Sequence, residues 1–135
     1  MDGINLSPLK KINHSKGDIL HAIKSSENEF EGFGEAYFSF VKKHEIKGWK
    51  KHTEMVSNLV VPIGEIQFVI FSEKNNKFFN ICLSQNNYQR LTIRPGLWLA
   101  FKGISNKNML LNISNIEHDP DETVNTDLEN IPYDW

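Results

Sequence analysis

The chain has a single cysteine, Cys82, and a lone thiol excludes any internal disulfide. It stands in the apolar run FFNICLS, where a buried thiol is expected rather than a nucleophile. Cysteine this scarce fits a reducing compartment, so a cytoplasmic protein is expected. No apolar run approaches the roughly 18 residues of a membrane-spanning helix. The opening MDGINLSPLKK lacks the apolar stretch of a signal peptide. Neither sign of charge dominates, since 15 Lys and Arg stand against 17 Asp and Glu for a net charge of −2. That balance gives no argument for nucleic acid as a partner. The five histidines (His14, His21, His44, His52 and His118) include no H-x-H pair that would set two imidazoles side by side on a strand. No metal site is therefore expected. There is no G-x-S-x-G elbow, no phosphate-binding glycine loop and no C-x-x-C pair. HDPDE at 118–122 lacks the alternating oxygen ligands of a calcium loop. It reads as a solvated turn, with His118 and the acidic tail at the surface.

What is present is a beat of short β-forming segments. Residues 1–35 are interrupted, and SSENEFEGFGE reads as loop. From Ala36 onward AYFSFV, EIKGWKKH, SNLVVPIGEIQFVIFSE, KFFNICLS, YQRLTIRPG, LWLAFKGIS and MLLNISNI follow one another. Each is rich in Val, Ile, Phe or Thr, and turn signals such as EKNN, SQNN, RPG and SNKN separate most of them. Pro62 and Gly64 are expected to mark a kink or bulge in the longest run. The pattern predicts one all-β domain over residues 1–135, a sandwich or barrel whose core draws on nine Phe.

Alternation orients the side chains. In a regular strand Gly48, Lys50 and His52 share one face, while Lys47, Trp49 and Lys51 share the other. Glu65, Gln67 and Val69 oppose Ile66, Phe68 and Ile70, and Asn112 and Ser114 oppose Leu111 and Ile113. Polar groups that converge in a barrel mouth mark a ligand site, although the same alternation fits a solvated face. The basic strand KGWKKH invites proton chemistry. A histidine titrates near neutrality, and a lysine beside it acts as a second base or as a fixed charge for an enolate.

The order of GEAYFSFVKKHEIKGWKKH, VVPIGEIQFVIFSE, YQRLTIRPGLWLAFKGIS, HDPDE and IPYDW resembles the dTDP-4-dehydrorhamnose 3,5-epimerase family, the RmlC-like branch of the cupins. The resemblance implies a jelly-roll barrel or sandwich, a homodimer, no metal and no organic cofactor. It implies a nucleotide-linked 4-keto-6-deoxy sugar as substrate, in cell-surface polysaccharide biosynthesis. Carried over by position, the family's base falls on Lys50, its enolate lysine near Ser57 and its tyrosine near Asn112. Its orienting aspartate has no clear counterpart. The related sugar 3,4-ketoisomerases carry R-G-W-H-A-H on the same strand, which Trp49 and His52 match while Lys50 replaces the first His. Trp98 matches their tryptophan before a pocket His, which is Leu99 here. The implied catalytic pair is His52 as base and Lys50 as enolate stabiliser, or the reverse. Lys47 is expected to pair with diphosphate, Trp49 or Trp98 to stack on a ring, and Ser57 and Asn112 to bind substrate. Two classes of function stay open: an epimerase or ketoisomerase, and a non-catalytic sugar-nucleotide-binding relative.

Overall fold

The β-branched and aromatic segments form strands, and in the computed structural model, which describes all 135 residues, these assemble into two five-stranded antiparallel sheets. The first sheet runs β1 (Ile4–Pro8), β9 (Gln89–Ile93), β6 (Ser57–Ile63), β11 (Met109–Ser114) and β4 (Glu35–Phe40). The second runs β12 (Thr123–Asn125), β5 (Ile46–His52), β10 (Trp98–Gly103), β7 (Glu65–Ser72) and β8 (Lys77–Ser84). A small hairpin, β2 (Lys11–Ile12) with β3 (Ile19–Leu20), stands apart. The sheets are not joined into a closed barrel, so the jelly roll takes the sandwich form. No helix is long and apolar enough to cross a membrane.

Ile66, Phe68 and Ile70 of β7 point inward, and with Leu59, Val61, Leu83, Leu91 and Leu110 they form the core between the sheets. Pro62 and Gly64 do two different jobs. Val60 pairs with Leu111 and Ile63 with Met109, so Val61 and Pro62 bulge opposite Leu110. Gly64 (φ 78°) then makes the turn into β7, where a Cβ would meet the Lys107 carbonyl oxygen at 2.1 Å.

His118 and the acidic side chains of the tail other than Glu122 are exposed, as expected, while Ile131, Tyr133 and Trp135 fold back onto a second apolar cluster of Trp49, Val69, Trp98 and Ala100. The apolar residues of the tail cover the outer face of the second sheet, and each large buried side chain stabilises by about 2–3 kcal/mol. Cys82, expected to be buried, is exposed, because β8 is an edge strand and Leu83, not Cys82, faces the core. On the first sheet the loop at 21–30 straps over Arg90, which is wholly buried. Arg90 donates to Asn58 Oδ1 at 3.0 Å, Ala22 O at 2.8 Å and Glu27 Oε2 at 2.6 Å.

Candidate active site

A cavity of about 240 Å³ opens between the sheets, lined on one side by β4 and on the other by β5. Its content is decided by an irregularity in β5. Leu99 pairs with Lys50 and Phe101 with Lys47, so Gly48 and Trp49 together stand opposite Ala100. This bulge absorbs one residue. Lys47 thereby returns to the side of Lys50 and His52, and all three line the cavity. The strict alternation that grouped Lys47 with Trp49 and Lys51 does not hold.

Trp49 and Trp98 do not line the cavity. Both are buried on the outer face of the second sheet, beneath the returning tail. The Trp49 indole donates to the Ile131 carbonyl at 3.1 Å, and that of Trp98 donates to the Glu73 carboxylate. Lys51 lies over the Trp98 ring, 4.8 Å from its centroid. The expected stacking of either indole on a ligand in this cavity fails because the outer face already holds both rings.

His52 is oriented by a carboxylate that the sequence did not single out. Its Nδ1 donates to Glu122 Oε1 at 2.7 Å. Glu122 Oε2 accepts three backbone N–H groups, from Thr53 at 3.1 Å, Glu54 at 3.0 Å and Met55 at 2.9 Å. Burial pushes the Glu122 carboxyl up, but the hydrogen bonds from His52, Glu54 and Met55 outweigh it and hold the group below its ordinary range. The ionised carboxylate fixes the proton on Nδ1 and leaves Nε2 with a free lone pair. HDPDE is solvated from His118 to Asp121, as expected, and only Glu122 turns inward. Asp119 caps a single 3-10 turn over Pro120–Glu122, accepting from the Asp121 N–H at 3.0 Å. That turn points Glu122 inward just before β12, which begins with Thr123 paired to His52. The legible signal was the capped Asp-Pro turn running into a strand fragment.

The opposite wall supplies a phenol. Asn112, near which the resemblance put a tyrosine, pairs in register with Tyr37 of β4. Asn112 Nδ2 donates to Tyr37 Oη at 2.8 Å, leaving the phenolic O–H free to donate in turn. Burial and the charge of Glu35 push the phenol up against the opposing effect of Asn112, so it keeps its proton at neutral pH. Alternation in AYFSF was the available signal, since Tyr37 and Ser39 both face the cavity.

Of the seven residues singled out from the sequence, His52, Lys50, Lys47, Ser57 and Asn112 line this one cavity. Arg94, at the end of β9, joins them and was missed, although it directly precedes the Pro95–Gly96 turn. Leu59, Leu97, Leu99, Phe101 and Leu110 give an apolar floor. Lys47, Lys50 and Arg94 are the lining cations, and no Asp or Glu lines the cavity. Such a space suits a ligand with an uncharged ring and an anionic group. No cluster of three or more His, Cys, Asp or Glu side chains is placed to hold a metal ion.

Residues 2–130 match the family model described as FdtA: WxcM-like, C-terminal. No protein among the curated sequences matches the chain. Among solved structures, a dTDP sugar isomerase from Desulfovibrio desulfuricans G20 is similar at 29% identity, over 99% of this chain and 91% of that one, with a TM-score of 0.93. QdtA, a sugar 3,4-ketoisomerase from Thermoanaerobacterium thermosaccharolyticum solved with TDP, shares the fold at 17% identity, over 92% of this chain and 88% of that one, with a TM-score of 0.80. The 3,5-epimerase RmlC from Legionella pneumophila Philadelphia 1, solved with dTDP-4-keto-L-rhamnose, shares it at 15% identity, over 93% and 73%, with a TM-score of 0.82. The likeness to 3,5-epimerases suggested by motif order thus extends to the fold, while the matching family model is a different one.

Proposed function

Because the chain belongs to the family described as FdtA: WxcM-like, C-terminal, we propose that it is an isomerase of nucleotide-linked 4-keto-6-deoxy sugars, working by removal of the proton beside the ketone. The observation that carries this reading is a pair of groups on one strand face. The His52 imidazole has its Nδ1 fixed by buried Glu122, and Lys50 has no carboxylate in the lining to neutralise it. His52 Nε2 takes the proton from C3. The electron pair of that C–H bond moves toward the C4 oxygen, which gains the charge of an enolate. Lys50 holds its ammonium at that oxygen. Its charge is unmatched before the reaction and matched as the enolate forms, so the interaction strengthens toward the transition state. Positioned general-base catalysis of this kind contributes about 10²–10⁴-fold.

Return of the proton decides the product. Delivery to C4, with the O3 proton passing to the enolate oxygen on C4, moves the ketone to C3 and leaves a hydroxyl at C4. The strand pattern Trp49-x-x-His52, which matches the R-G-W-H-A-H of sugar 3,4-ketoisomerases, favours this ketoisomerase outcome. Epimerisation is the second reading, and Tyr37 favours it, because a phenol on the opposite wall is suited to return the proton from the other face. A homodimer belongs to the same proposal, and light scattering that finds only monomer refutes that part.

The test is incubation with dTDP-4-keto-6-deoxyglucose in D₂O, followed by NMR. A 3-keto product carrying deuterium at C4 supports the ketoisomerase, and deuterium at C3 with the ketone kept at C4 supports the epimerase. Binding of several nucleotide keto sugars with no exchange in any of them refutes catalysis and leaves a sugar-nucleotide-binding relative.

A further inference from the structure

Of the edges of the two five-stranded sheets, only that of β4 is left unguarded. β1 ends in Pro8, and β12 is three residues long. β8 opens on Lys77, and its Phe78 is tucked against Phe71 and Tyr133. β4 runs six residues with no proline, no lysine and no bulge against β11, and it leaves Phe38 63% and Phe40 54% exposed. A regular apolar edge is a template for another strand. We infer that β4 pairs antiparallel with β4 of a second copy about a twofold axis at Phe38, an inference that rests on the homodimer reading above and gives it an interface.

The backbone sets the register. Val41 continues the ladder beyond Phe40, with its N–H donating to the Asn108 carbonyl at 3.2 Å. Bonded residues alternate along an antiparallel strand, so Ser39, Tyr37 and Glu35 bond to β11, while Ala36, Phe38 and Phe40 turn their N–H and C=O groups to the open edge. An axis at Phe38 pairs all of these at once, Phe38 with the partner's Phe38 and Ala36 with the partner's Phe40. An axis at Tyr37 or Ser39 sets one of them against a residue outside the strand. The side chains agree, because the large Phe40 then stands beside the small Ala36 on the outer face. Charge agrees as well. Glu31 and Glu35 lie at the start of β4, and Lys42 and Lys43 follow its end. The antiparallel arrangement therefore sets the acidic end of one copy against the basic end of the other. On the inner face Tyr37 comes beside the partner's Ser39, with Cβ atoms about 5 Å apart. Both residues line the cavity, so each copy sets its phenol against the rim of the other copy's site.

The experiment is light scattering over a concentration series on wild type, on Phe38→Lys, on Phe38→Glu and on an equal mixture of the two variants, with a melting curve for each. Wild type is expected to be a dimer. Either charged variant sets like charges face to face at the axis, so its dimer weakens at least about tenfold. The fold itself, in which Phe38 is mostly exposed, is expected to melt close to wild type. The mixture recovers the dimer, because opposite charges then meet; only a position that faces its own copy behaves in this way. A second measurement is oxidation of Phe38→Cys in a Cys82→Ser background. The Cα atoms of such a pair stand about 5.5 Å apart, within reach of a disulfide, so a covalent dimer forms. Phe33→Cys, as exposed but off the strand, does not cross-link. Charged variants as dimeric as wild type, a mixture that stays monomeric, or a Phe38→Cys protein that does not cross-link overturns the inference and leaves the homodimer standing. A wild type that is monomeric throughout overturns both, including the case in which β4 takes up a strand from a different protein. Neither result touches the isotope exchange, which decides the sugar chemistry by itself.

Discussion

Replacing Glu122 by Gln keeps the shape of the side chain and removes its charge. The carboxylate now serves four donors: His52 Nδ1 on one oxygen and three backbone N–H groups on the other. A carboxamide has one oxygen. If that oxygen keeps the backbone groups, the NH₂ faces His52, which must accept at Nδ1 and carry its proton on Nε2. That is the wrong tautomer for a base, and the exchange of deuterium into C3 is expected to slow by about 10²–10⁴-fold. Charge-assisted hydrogen bonds to a buried group contribute about 2–3 kcal/mol, so melting should fall by roughly 6–12 °C in a chain of this size. The pH dependence has a definite sign. The Glu122 pKa is lowered in the fold, so its stabilisation is fully present above the ordinary value of 4.5 and is lost as pH falls through the depressed folded value. The difference in melting temperature between wild type and Glu122→Gln should therefore be constant near neutrality and shrink in acid. A folded Glu122→Gln protein that exchanges C3 within about threefold of wild type refutes the role of Glu122 in setting the His52 tautomer.

Lys50→Met should lower kcat and kcat/KM together by about 10²-fold or more, with Lys50→Arg recovering part of the loss; equal activity of Met and Arg variants would show that charge at this position is irrelevant. Tyr37→Phe should leave C3 exchange near wild type and reduce product release into the epimer pool, which NMR separates; unchanged epimer yield removes Tyr37 from the proton path. Arg90→Ala should destabilise by about 3–5 kcal/mol in urea unfolding, because it leaves buried Asn58 and the Glu27 strap without their partner. Trp49→Phe should cost about 1 kcal/mol through the lost bond to the Ile131 carbonyl while dTDP affinity stays constant. A weakened affinity there would restore a stacking role.

The sandwich was legible because alternation and turn residues repeat along most of the chain, and β7 keeps the expected alternation that sets Ile66, Phe68 and Ile70 on one face, which the structure turns inward. Lys50 and His52 were legible as same-face neighbours because no irregularity separates them. Lys47 was not, since a bulge is a property of two strands in register and only Phe101 and Leu99 reveal it. The phase of Trp98 was hidden for another reason. The second sheet is apolar on both faces, one against the core and one beneath Tyr133 and Trp135, so hydrophobicity alone does not say which face is inside. Glu122 was missed because it acts across some 70 residues of sequence, and a search for an aspartate passes over a side chain one methylene longer.

The bulge at Gly48 and Trp49 gives the cavity's electrostatics an outside control. Residues before it face inward on odd numbers and residues after it on even ones, so β5 carries a change of parity. The Trp49 indole on the carbonyl of Ile131, on the face turned away from any ligand, helps hold that change alongside the pairing of β5 with β10 and β12. Were the parity change to slide off Trp49, Lys47 would rotate out while Lys50 and His52 stayed where they are. The tail residues Ile131, Tyr133 and Trp135, none of which lines the cavity, thereby support from the outer face the register that keeps Lys47 inside it.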